Sequence, residues 1–204
     1  MGLLGGHSHR TSALCQQFAG GLGALCGILA LGLSTGAPAV EAYPVESVKA
    51  AFIYRFAGYV EWPRDPASAK AFTIAVMGSS EIASRLQSLT ADRTLHHRPV
   101  QVRRISSMQD AADAQILYIG PYHRAELRNL LHAVGGKQIL VVTDEEHGLD
   151  AGSSINFLEM DRRVRFEVSI EAARHAGLIV NSELLSVAAR VQGGRSQPHE
   201  QAMR

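Results

Sequence analysis

Several things are scarce in this 204-residue chain, and each scarcity excludes something. Its two cysteines, Cys15 and Cys26, both lie in the first forty residues. The rest of the chain can therefore hold no disulfide of its own. From residue 40 onward there is no G-x-G-x-x-G and no G-x-x-x-x-G-K-S/T, so neither common phosphate-cradling loop is present. No G-x-S-x-G supplies a nucleophile elbow. No H-x-x-x-H or H-E-x-x-H spacing offers a zinc site, and no cofactor is expected. Charge of one sign is not in excess either, with 20 Lys and Arg against 19 Asp and Glu. That balance gives no basic surface for nucleic acid or an anionic membrane.

The first forty residues stand apart. Arg10 is the only formal charge before Glu41, and the run Ala19–Leu33 is rich in Leu, Ala and Gly. A spanning helix needs about 20 predominantly apolar residues. This run is shorter and carries five glycines between Gly20 and Gly32. A weakly basic start, a short apolar stretch and the small residues Ala37-Pro38-Ala39 form a secretory signal peptide over residues 1–39. Ala37-Pro38-Ala39 is the preferred cleavage site and Val40-Glu41-Ala42 the second choice. Both cysteines follow a leucine, where a lipoprotein signal wants a small residue. The expected product is exported, lacks cysteine and does not span the membrane. Residues 43–191 form its domain and residues 192–204 a polar, disordered tail.

Along the domain, Val48, Phe52, Phe56 and Tyr59 recur at helical spacing, which predicts a helix over Val45–Trp62 ended by Pro63. A polar loop, Arg64–Lys70, follows. Phe72–Met77, Val100–Ile105, Ile116–Ile119 and Ile139–Thr143 read as strands. Helices over Glu81–Leu89 and Arg124–Val134 lie between them. This alternation predicts an α/β fold: a mostly parallel, twisted, Rossmann-like sheet with helices on both faces. Ser154–Met160 and Arg163–Ser169 alternate apolar and polar residues around Asp161-Arg162, a β-hairpin pattern. Two further helices, Glu171–Ala176 and Ser182–Val191, complete the chain.

The candidate sites are few. Gly78-Ser79-Ser80 sits between a strand and a helix, where backbone N–H groups can meet an anion or a serine can simply cap the helix. Asp144-Glu145-Glu146-His147 follows the fourth strand, and strand ends are where open α/β sheets bind ligands. His147 has no evident nucleophile to serve, and His96-His97 are adjacent residues that point apart. Arg165 projects from the strand face opposite Val164 and Phe166 and shares that face with Arg163 and Glu167, which makes an ion pair the expected arrangement. Trp62 is the only tryptophan and reads first as core. With Tyr54 and Tyr59 it could instead form an aromatic patch for a partner.

The segment Val48-Lys49-Ala50-Ala51-Phe52-Ile53-Tyr54-Arg55-Phe56, followed by Tyr59-Val60-Glu61-Trp62-Pro63, resembles the opening of the YfiR family of periplasmic proteins. Phe72–Gly78 resembles its next element. Gly152, Ile155-Asn156-Phe157 and Val164–Val168 follow in family order, and then Ala172-Ala173, Ala176-Gly177-Leu178 and Ser182–Ala188. The resemblance covers roughly residues 45–191. It implies a periplasmic regulator and not an enzyme. Such a regulator binds the periplasmic part of an inner-membrane diguanylate cyclase, represses it and so lowers cyclic di-GMP and biofilm formation. Other relatives serve histidine kinases. The resemblance also implies a possible homodimer and, in one member, disulfides that this chain has no mature cysteines to form. A small-molecule (solute) binding module is the alternative, with its pocket at the strand ends near Gly78 and the Asp144–Gly148 turn. For a docking protein, the end of the first helix and the hairpin are the expected contact surface, with Arg55, Trp62, Asn156 and Arg165 as its candidate residues.

Overall fold

The computed structural model describes residues 43–64, 70–121 and 124–193. The expected leader, the tail from residue 194 and the loop residues 65–69 lie outside them. The described domain is mixed α/β, built on an eight-stranded sheet.

Three predominantly apolar strands lie at its centre: β2 (Phe72–Met77), β5 (Ile116–Ile119) and β6 (Leu140–Thr143). Every residue in them is buried, as a strand covered on both faces requires. Alternation along each strand then creates two cores. Phe72, Ile74, Val76, Ile116, Tyr118, Leu140 and Val142 face one side. There they meet Ala50, Ile53 and Phe56 of α1 (Val45–Phe56) and Ile82, Ala83 and Leu86 of α2 (Ser80–Thr90). Ala75, Met77, Leu117, Ile119 and Val141 face the other, against Leu127 and Leu131 of α3 (Arg124–Ala133) and the short turn of helix at Met108–Ala111.

The strand order is β10-β8-β7-β6-β5-β2-β4-β3. Here β3 is Thr94–Leu95, β4 Arg98–Arg104, β7 Ile155–Met160, β8 Arg163–Ser169 and β10 Arg190–Gln192. Strands β4, β2, β5, β6 and β7 run parallel. The chain leaves β2 for β4 on one side and returns to β5 on the other. At that reversal the strand ends close on each other: Gly120 N–H donates to the Met77 carbonyl at 2.9 Å, and a Cβ on Gly120 would stand 3.0 Å from the Gly78 carbonyl oxygen.

Four expectations need correction. The first helix stops at Phe56, not Trp62. Gly58 is a poor helix former, and the chain tightens there into three-residue turns, Gly58 N to Arg55 O and Tyr59 N to Phe56 O. Val60–Glu61 (β1) then pairs antiparallel with Ile179–Val180 (β9). Beyond two short helices, α4 (Gly148–Ala151) and α5 (Ile170–His175), the helix expected over Ser182–Val191 ends at Val187 (α6, Ser182–Val187). Ala188 turns extended, and β10 adds parallel to β8 with Ala189 N–H on the Phe166 carbonyl at 2.8 Å. Tertiary pairing overrides local propensity at this point. Gln192, assigned to the tail, is the last residue of that strand. The hairpin is present as expected, with Asp161 and Arg162 both at positive φ (51° and 57°) as a tight two-residue turn requires. β7 joins the main sheet beside β6.

The fourth correction concerns Glu167. Its partner is not an arginine of its own strand. Arg190 Nε donates to Glu167 Oε2 at 2.6 Å, and Asn156 Nδ2 donates to Oε1 at 2.9 Å.

Candidate docking site

Helix α1 carries more apolar surface than the sheet can cover. Ala50, Ile53 and Phe56 point into the core, whereas Val48, Ala51 and Phe52 are only half-buried and Tyr43 and Val45 are 82% and 42% exposed. Phe52 is held from beneath by rings. It lies 5.5 Å from Phe166, edge-on, and 6.0 Å from Phe56, stacked. Such contacts fix a large side chain without burying its outer face.

Two adjoining grooves result. One, of about 420 Å³, is lined by Tyr43, Ser47, Val48, Ala51, Phe52 and Arg55. The second, of about 350 Å³, runs between α1 and α6 over Phe52, Arg55, Tyr59, Leu184 and Val187, with Glu183 at its wall. Phe52 and Arg55 line both. Arg55 is exposed, with its guanidinium 3.5 Å from the Tyr59 hydroxyl. Val187 stands 62% exposed at the far edge. This is an open, largely apolar surface with one cation at its seam, suited to burying a partner's apolar side chains.

The four expected contact residues do not share one surface. Arg55 lies in the grooves. Trp62 is buried, its indole N–H donating to the Gln115 carbonyl at 3.2 Å and its ring edge-on to Phe72 at 5.3 Å. Asn156 is fully buried. Its Oδ1 accepts from Thr143 Oγ1 at 2.8 Å and from the Glu145 N–H at 3.2 Å, while its Nδ2 serves Glu167. Arg165 is exposed on β8, opposite Leu158. Tyr43 and the α6 residues Glu183 and Val187 also line or flank the grooves. A near-continuous apolar circumference over Val48–Phe56 is the sequence signal for a helix with a second apolar face, but nothing in the sequence brings α6 beside it.

The strand ends carry a polar cluster. Lys49 Nζ sits 2.5 Å from Asp144 Oδ2, which also accepts from the Tyr118 hydroxyl at 3.3 Å. Burial, then the Asp144 carboxylate, pushes the Tyr118 hydroxyl well above the usual tyrosine range. The cluster straps α1 to the end of β6. His147 turns away into a left-handed conformation, with Glu146 and Asp150 about 3.5 Å and 3.4 Å from its ring. Ser79 caps α2, accepting from Ile82 N–H at 3.2 Å. His96 lies against Trp62 and Phe72, with its Nε2 2.9 Å from the Ala57 carbonyl oxygen. Among the described residues no group of three His, Cys, Asp or Glu side chains is placed to hold a metal ion, and no helix is long and apolar enough to cross a membrane.

No curated protein matches the chain significantly. A family model described as YfiR/HmsC-like does match it, over residues 46–189, which is the described domain from α1 to the threshold of β10. On a match of that extent, the chain belongs to the YfiR/HmsC-like family of periplasmic regulators of cyclic di-GMP signalling.

Proposed function

We propose that this protein docks on the periplasmic part of an inner-membrane sensor through the paired grooves of α1 and α6. The sensor is a diguanylate cyclase whose output the docked protein represses, lowering cyclic di-GMP and biofilm formation. Residues 1–39 serve as the export signal, cleaved near Ala39. The observation that carries this reading is family membership over residues 46–189, joined to an apolar helix face that no described element covers. Physically, repression needs only that the protein bind the inactive conformation of its partner better than the active one. Burying apolar side chains on a preformed groove supplies such a preference without any bond-making step.

Association with the periplasmic domains of candidate cyclases and histidine kinases, by pull-down or two-hybrid assay, tests the reading. Val48→Glu with Val187→Glu is expected to abolish association and raise cyclic di-GMP while the protein still folds. Undiminished association would move the contact elsewhere. Loss of a self-association instead, with sensor binding unchanged, would assign the grooves to a homodimer. Binding only to a kinase would reassign the pathway.

A further inference from the structure

We infer that the outer half of the β7–β8 hairpin is a second contact element, which takes an acidic, extended segment of the partner as an added strand. The inference rests on the docking reading above but uses a different surface. Residues 158–160 and 163–165 pair only with each other among the described residues. β6 accompanies β7 at Ile155 and Asn156 alone, and β10 accompanies β8 only over Glu167–Ser169. The outer edge of β8 is therefore open from Arg163 to Arg165. An unpaired strand edge is a template for another strand.

The side chains beside that edge select the occupant. Arg163 and Arg165 share one face, opposite Met160 and Leu158. Arg162 lies in the turn. All three arginines are exposed, and none has an ion-pair partner among the described residues. The acidic groups nearby do not neutralise this face: Glu159 opposes Val164 on the other side, Asp161 sits in the turn, and Glu167, on the same face, is buried and bonded to Arg190 and Asn156. Guanidinium groups two residues apart along a strand match carboxylates with the same alternation, each able to form a two-pronged pair. The recognised chemistry is thus a run with Glu or Asp at every second position. An anionic lipid surface, which is indifferent to strand register, is the alternative that the test must separate.

A fluorescein-labelled peptide of alternating Thr and Glu is titrated with the full-length chain, followed by anisotropy. It is expected to bind, whereas its Thr-Lys counterpart does not. Arg163→Ala with Arg165→Ala should weaken binding about tenfold, with circular dichroism and melting unchanged. Methylating alternate peptide nitrogens, which keeps the charge and removes strand pairing, should weaken it as much. Binding that ignores either change overturns the proposal. So does sedimentation with phosphatidylglycerol vesicles that depends on the two arginines while the peptide stays free. Val48→Glu should leave peptide binding intact; its loss there would place the peptide in the grooves and also overturn the proposal. Because the titration needs no sensor, its failure leaves the docking reading standing, and failure of sensor association leaves the peptide result standing.

Discussion

The base of the hairpin and the outer face of α1 are built on opposite plans. Under the hairpin, Thr143, Asn156, Glu167 and Arg190 hand hydrogen bonds to one another, and Asn156 and Glu167 are almost wholly out of water. On α1, Val48, Ala51 and Phe52 meet water in grooves that no described element fills. Buried polar groups are tolerated only when satisfied, and Asn156 and Glu167 in the first region are already committed to neighbours. The second has spare apolar surface and little polar demand. Substitutions in the first should therefore act on stability, and substitutions in the second on association.

The largest expected effect is at Asn156. Asn156→Leu removes one hydrogen bond each from the Glu167 carboxylate, the Thr143 hydroxyl and the Glu145 N–H. Chemical denaturation should report a loss of about 2–4 kcal/mol. Gly148→Ala comes next. A Cβ there would collide with both Asn156 Oδ1 and Thr143 Oγ1, so the network must shift, at about 1–3 kcal/mol by the same measurement. Tyr118→Phe is smaller and depends on pH. The folded chain keeps the Tyr118 proton more tightly than the unfolded chain, whose tyrosine titrates near 10. Stability present below that pH should fall as the pH rises above it, and the Phe variant should flatten that alkaline decline in melting temperature. The smallest effect on stability belongs to Val187→Glu, within about 0.5 kcal/mol because the site is exposed. It should nevertheless weaken sensor association. A variant of α1 or α6 surface residues that unfolds the domain, or an Asn156 variant that keeps full stability and loses association, would break the contrast.

How much of this was legible beforehand follows the same divide. β2, β5 and β6 could be read because a short, predominantly apolar run has few places to go except a covered strand. The hairpin could be read because alternation and a two-residue turn are local signals. β10 was not legible. Its residues Arg190, Val191 and Gln192 look like a helix end, and what makes them a strand is a carboxylate and a strand edge more than twenty positions earlier in the chain. For that reason the sequence does not reveal Arg190 as the Glu167 partner, although it does reveal the need for one. The end of α1 turned on Gly58, weaker than a proline but sufficient. Of the candidate site, Arg55 was visible as a cation beside an apolar stripe. The grooves were not, because the sequence shows that Val48 and Phe52 are apolar and does not show that the sheet leaves them uncovered.

Hydrogen–deuterium exchange of the chain with and without its sensor's periplasmic domain tests the central claim most directly. The account predicts slowed exchange in the segments around Val48–Arg55 and Glu183–Val187. Slowed exchange at the strand ends around Gly78 and Asp144, with α1 and α6 unaffected, would contradict it.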